Sequence, residues 1–235
     1  MNLETAEHPA VRRRVPIWLL IVLGVALLAA IAALIYRFMP LDAPIPGDVG
    51  RAYAGLERGT TDEGFPRLGE ASAPVLVEVF SSFACPHCRT FHEEQFAGLL
   101  DEIAAGQVQF VFIPIAHIGR GAGTAAHGAL CAGEQDRFWE MHDVLFYWQG
   151  RTVGSAFPER RVKLGAENLG LDTAAFNQCM DDSQPEAVLD RARAEFDRRG
   201  LTGTPSLFID GQRVQDYSEL EQLGGPDASA ASVAG

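Results

Sequence analysis

Hydrophobic positions along this chain follow three different rhythms. The first is unbroken: the 22 residues from Val15 to Tyr36 carry no charge. As a helix they would span about 33 Å at about 1.5 Å per residue, enough to cross a bilayer. The second is of strand length and flanks a helical period. Val75-Leu-Val-Glu-Val-Phe80 and Gln107-Val-Gln-Phe-Val-Phe-Ile-Pro114 read as buried strands. Between them Phe91, Phe96, Leu99 and Ile103 fall on one side of a helix ending near Gly106, so the spacing predicts a parallel strand–helix–strand crossover. The third rhythm, from about Gly119 to Gly200, is helical almost throughout. It holds a small-residue helix (Ala125, Ala126, Ala129, Leu130), an apolar-faced one over Asp136–Phe146, and one capped by Asp172 that carries Phe176 and Cys179. A last helix follows the capping-box spacing Ser183-Gln-Pro-Glu186 and runs to about Arg199.

Strand character returns at Ser206–Asp210, and Asp210-Gly211 predicts a hairpin turn into Gln212–Val214. Tyr217 to Leu223 is a candidate closing helix, and Gly64–Gly69 a short edge strand or turn. The expected domains are a cytoplasmic tail over 1–14, an anchor over 15–36 and a linker over 37–58. A single domain over 59–223 follows, with a helical insert at about 119–200, and then a disordered tail over 224–235. The linker assignment rests on Pro40, Pro44, Pro46, Gly47 and Gly50.

Arg12, Arg13 and Arg14 precede the anchor and only Arg37 follows closely, which predicts a cytoplasmic N-terminus and an extracytoplasmic domain. A cleaved signal peptide is the competing reading. Against it, the apolar run exceeds a signal-peptide core, and Tyr36-Arg-Phe-Met-Pro40 offers no small-x-small cleavage site. An apolar content of 47% with 14 Phe supplies a core without staples. The net charge of −12, with no basic cluster beyond the N-terminus, argues against nucleic acid as a partner.

The candidate chemistry lies where the first buried strand meets its helix, at Cys85-Pro86-His87-Cys88. Pro86 suits the first helical position, and the unpaired amides of a helix start stabilise an anion at Cys85. A protonated His87 would add a second positive neighbour, while Cys88 is expected to be buried and less reactive. Outside the cytoplasm disulfides persist, and four cysteines allow three full pairings. Only the pairing of Cys85 with Cys88 and Cys131 with Cys179 leaves the first pair free to cycle. Two free thiols at Cys131 and Cys179 are the alternative. Zinc on Cys85, Cys88 and His92 would need a fourth ligand that the spacing does not offer, so no metal is assigned. His92, His117, His127 and His142 read as core or surface histidines.

Four stretches together carry a resemblance: Val75–Cys88, Ala132–His142, Leu169-Gly-Leu-Asp172 and Gly203-Thr-Pro-Ser-Leu-Phe-Ile-Asp-Gly211. In this respect residues 60–223 resemble the DsbA family, particularly its membrane-anchored, BdbD-like members. The resemblance implies an α/β architecture, a thioredoxin fold with an inserted α-helical domain, in addition to the transmembrane helix. It implies a thiol:disulfide oxidoreductase, most simply an oxidase of cysteine-containing client proteins, with no bound cofactor. A quinone-linked membrane reoxidase of the DsbB or vitamin K epoxide reductase type is the implied partner. A cis Thr204–Pro205 bond packed against the dithiol is implied too, with Pro205 in the active site and Thr204 offering its backbone to an extended client. A reductase or isomerase, or a non-catalytic peptide-binding module, are the rivals. One departure is visible: where the family carries an acid, this chain has Val79. Glu78 should face the opposite side of the strand and be exposed or salt-bridged.

Overall fold

A computed structural model describes residues 16–38, 42–151 and 156–224. The chain divides into two compact units, 1–41 and 42–235. In the first, α1 spans Ile17–Phe38. Its apolar side chains from Ile17 to Leu34 are almost all exposed, on every side of the helix. It is long and apolar enough to cross a membrane. Its bounds lie two residues beyond those read from the sequence, and Pro16 precedes it with its carbonyl accepting from Leu19 N at 2.9 Å.

The second unit is built on a six-stranded mixed sheet in the order β1-β2-β4-β3-β5-β6. An antiparallel hairpin, β1 (Arg58–Thr60) with β2 (Pro66–Leu68), lies against the edge of the sheet. β2 is the short strand that the sequence offers, as strand or turn, around Gly64–Gly69, and β1 adds an unexpected partner outside it. The central strand β3 (Val75–Ser81) is followed by α2 (Pro86–Phe91), a π turn over His92–Phe96, and α3 (Ala97–Ala104). The chain then returns as β4 (Val108–Pro114), parallel to β3 with Val75 opposite Val108 and Ser81 opposite Pro114. The helical insert comprises α4 (Ala122–Gly133), α5 (Phe138–Trp148), α6 (Glu159–Asn168) and α7 (Thr173–Met180). The long α8 (Gln184–Arg198) leads back to β5 (Ser206–Ile209), antiparallel to β3, and to β6 (Gln212–Arg213). The β5–β6 turn places both Asp210 (φ 48°) and Gly211 (φ 78°) in the left-handed region that a two-residue hairpin demands. A short α9 (Ser218–Glu221) continues as a 3-10 turn to Gly224.

Two sequence expectations need correction. Residues 42–58 are not a free linker, since they belong to the second unit and bury Ala43 and Tyr53 to 1% and 2% exposure. Proline and glycine confine regular structure there, before β1, to a 3-10 turn over Arg51–Tyr53, but they do not rule out docking. Trp148 Nε1 donates to Pro44 O at 2.8 Å and Asn168 Nδ2 to Ala43 O at 2.9 Å, so the irregular backbone finds its partners in the insert. The capping box before α8 does not form either. Ser183 is already in a helical conformation (φ −87°, ψ −8°), which turns its side chain away, and Asp182 Oδ1 accepts from Gln184 N instead. Asp172, by contrast, caps α7 through Ala174 N and Ala175 N at 2.9 and 3.0 Å.

Candidate active site

The end of β3 delivers the chain into the turn Ser82–Ala84, and Cys85 becomes the residue that opens α2. Cys85 is extended (φ −90°, ψ 120°), and its carbonyl accepts from Cys88 N and Arg89 N at 3.1 and 3.2 Å. Pro86 takes the first turn, where no N–H is needed. One approach is close enough to require glycine: a Cβ on Gly119 (φ 94°) would stand 2.6 Å from the Ala84 Cβ. The loop after β4 therefore presses directly on the turn that precedes Cys85. From the insert, Gln149 Nε2 donates to Phe83 O at 3.0 Å, and its own carbonyl accepts from Arg89 Nη1 at 2.9 Å.

The two thiols are not equivalent. Cys85 is 8% exposed and Cys88 is fully buried. The Cys88 thiol, hydrogen-bonded to Cys85, lowers the Cys85 pKa to about 5, working against burial, which raises it; Thr204 and the backbone amides of Cys88 and His87 add to the lowering. Burial pushes Cys88 far above the ordinary thiol range. His87 is exposed, and it acts on the sulfur through its amide, one of the smaller contributions beside the Cys88 thiol.

Across from Cys85 the Thr204–Pro205 peptide is cis. The Cys85 thiol donates to Thr204 O at 3.2 Å. Thr204 Oγ1 is buried without a partner, which leaves its hydroxyl as a donor at hand for a thiolate. Beside this pair an open groove is lined by His87, Phe91, Gln95, Thr204, Pro205 and Tyr217. The structure thus brings Cys85, Pro86, His87, Cys88, Thr204 and Pro205 together. Cys131 and Cys179 lie apart, bonded to each other between α4 and α7 with Cα atoms 5.6 Å apart. Val79 lines the space beside Cys88. Glu78 faces away and forms a two-pronged ion pair with Arg199 at 2.9 and 3.0 Å.

Sequence reading did not single out the polar cluster behind Cys88. Asp143 Oδ1 accepts from Tyr53 OH at 2.5 Å, meets His142 Nδ1 at 3.3 Å and lies 3.5 Å from His92 Nε2. Burial lowers both imidazoles to about 3 and raises the Asp143 carboxyl to about 6. The imidazoles are therefore neutral near pH 7, and the contact is not an ion pair. The three donor groups lie within 4.8 Å of one another, a spacing compatible with a metal, but they converge on an Asp143 oxygen that Tyr53 already occupies. The geometry is that of a hydrogen-bonded network. The available sequence signals were the Cys88/His92 spacing of one helical turn and the adjacent pair His142-Asp143, while Tyr53 was hidden in the presumed linker.

Comparison with known proteins places these features. The chain is 29% identical over 193 residues to a Na+/H+ antiporter NhaA of Salinispora arenicola, covering 79% of this chain and 28% of the antiporter. It is 25% identical over 155 residues to a Rickettsia conorii protein provisionally named a protein-disulfide oxidoreductase, covering 64% of this chain and 55% of that one. It thus spans little more than a quarter of the first relative and about half of the second. Oxidised BdbD of Bacillus subtilis superposes with a TM-score of 0.62 at 21% identity, over 72% of this chain and 94% of that one, which shows a common fold. Residues 61–225, containing the dithiol, the insert and the cis-proline hairpin, match the thioredoxin family model Thioredoxin_4, and the chain belongs to that family.

Proposed function

We propose that this protein is an extracytoplasmic thiol:disulfide oxidoreductase, anchored by α1 with its N-terminus in the cytoplasm, and that it acts as an oxidase of folding client proteins. The observation that carries this reading is the unequal dithiol, with a Cys85 pKa of about 5 above a buried, high-pKa Cys88. A client thiolate attacks Cys85 Sγ, a client–Cys85 bond forms, and the Cys85–Cys88 bond breaks with its electron pair on Cys88. A second client thiolate then attacks the client sulfur, the client disulfide forms, and Cys85 leaves as a thiolate. The lower the Cys85 pKa, the better it leaves and the more the reduced state is favoured, so the disulfide is oxidising. The groove beside Thr204 and Pro205 offers a backbone carbonyl to an extended client, which supports tolerance of many sequences.

The likeness to part of an antiporter supports work beside a membrane. Re-forming the disulfide calls for a membrane reoxidase of the quinone-linked DsbB or vitamin K epoxide reductase type. The deciding measurement is the Cys85–Cys88 potential against a glutathione buffer. A value well above about −200 mV supports the oxidase, and one near about −270 mV, thioredoxin's, turns the reading to a reductase or isomerase.

A further inference from the structure

The exchange just described leaves a proton to be moved, and it belongs to Cys88. When the disulfide breaks, the electron pair lands on a sulfur that is fully buried. A thiolate there is costly and takes up a proton, and the same proton must leave before the disulfide can re-form. Solvent has no direct access. Val79, which lines the space beside Cys88, carries no exchangeable proton, and Glu78 points to the other face, locked to Arg199.

His92 stands one helical turn beyond Cys88, and both line the same void of about 10 Å³, room for at most one bridging water. His92 Nδ1 is buried and has no hydrogen-bond partner. The other ring nitrogen, Nε2, lies 3.5 Å from Asp143 Oδ1, a separation of the kind that tightens in a reacting complex. The Asp143 side chain is 20% exposed and reaches solvent; the His92 ring is itself 18% exposed, though its Nδ1 is buried. The groups facing this line are Cys88 from α2, His142 and Asp143 from α5, and Asp48 and Tyr53 from the docked N-terminal segment. Glu140 and Arg58 act in turn on Tyr53.

We propose that His92, backed by Asp143, is the route by which the Cys88 proton enters and leaves the buried site. In the direction of disulfide formation, His92 Nδ1 accepts the Cys88 proton through one water in the void between them, while Nε2–H passes its own to the Asp143 carboxylate, which releases it to solvent. In the direction of client oxidation, the protonated Asp143 gives its proton to Nε2, and Nδ1–H delivers one to the Cys88 thiolate. The ring exchanges one tautomer for the other and never accumulates as an imidazolium. This suits a histidine whose burial holds its pKa at about 3, beside a carboxyl raised to about 6 that can exchange protons near neutrality. Tyr53 and His142 hold the Asp143 oxygen in place.

The relay rests on the exchange reading above, and the test separates the two. The full chain in detergent is oxidised, mixed with a cysteine peptide, and its reduction followed by tryptophan fluorescence across the pH range. His92→Phe keeps the stacking on Phe146 and Phe96 (centroids 4.9 and 5.7 Å) and removes both nitrogens; Asp143→Asn keeps an acceptor for Tyr53. Each variant is expected to slow reduction by about a hundredfold near neutral pH and to lose the rate step near the Asp143 pKa. The equilibrium potential and the alkylation midpoint of Cys85 should not move, a separation that a merely structural role would not produce. Variant rates within about twofold of the parent at every pH overturn the relay alone. A parent chain that the peptide cannot reduce overturns the exchange reading instead. Should the variants misfold, nitrogen NMR of the parent decides: the reduced form must show neutral His92 with the proton on Nε2, and a proton on Nδ1 overturns the relay.

Discussion

The two cysteine pairs of this protein make opposite use of the same element. Cys131 and Cys179 come from different helices 48 residues apart in sequence and are 0% and 5% exposed. Both sit in apolar surroundings, and their bond closes a long loop. Cys85 and Cys88 are three residues apart on one helix, and everything around them is asymmetric. One sulfur is at the helix mouth with amides and Thr204 around it; the other lies beneath, against aromatic rings and His92. Sulfur reactivity here is set by the hydrogen bonds each sulfur receives and by how far it is from water. Cysteine content or spacing alone would not separate the pairs.

Breaking the reactive pair should have the largest effect. Cys85→Ser is expected to abolish client oxidation, and Cys88→Ser to accumulate a client–Cys85 mixed disulfide visible on a non-reducing gel. Activity left intact by Cys85→Ser would return the protein to a non-catalytic binding role. Breaking the other pair should leave exchange untouched. The double variant Cys131→Ser, Cys179→Ser is expected to lose about 4 kcal/mol of stability in the chain-entropy account, read from denaturant midpoints, at an unchanged redox potential. A shifted potential would mean that the insert disulfide communicates with the dithiol.

The smallest effect sharpens the comparison through pH. The folded-state pKa of Cys85, about 5, lies below its ordinary value of 9.0. A depressed acid stabilises the folded reduced form fully above pH 9.0, and that contribution is lost as the pH falls toward about 5. The melting-temperature advantage of the reduced over the oxidised protein should therefore shrink across this window. The Cys131–Cys179 bond does not titrate and should contribute equally throughout. An advantage independent of pH would remove the anionic sulfur from the account.

How much of this was legible depended on whether the determining contacts were local. The Cys85–Cys88 turn, the Asp172 cap and the Asp210-Gly211 hairpin are each specified within a few residues by backbone preference and helix-end chemistry. The DsbA resemblance supplied Thr204 and Pro205 opposite the dithiol. The docking of residues 42–58 was not legible, because it depends on Trp148 and Asn168 donating to carbonyls more than a hundred residues away. The Tyr53–Asp143 contact, bridging 90 positions, was hidden for the same reason. His142 looked like an ordinary core histidine because it is one: its ring is fully enclosed by aromatic neighbours, and only the position of Asp143 gives it a second use.

Gln149 has a consequence for how such a domain can diversify. With one hand on Phe83 O and the other on Arg89, this single residue at the end of α5 braces both flanks of the Cys85 turn. A change in the tilt or length of the helical insert is thereby conveyed mechanically to the floor beneath the sulfur. The setting of the dithiol can thereby be altered from a distance, with Cys-Pro-His-Cys left unchanged.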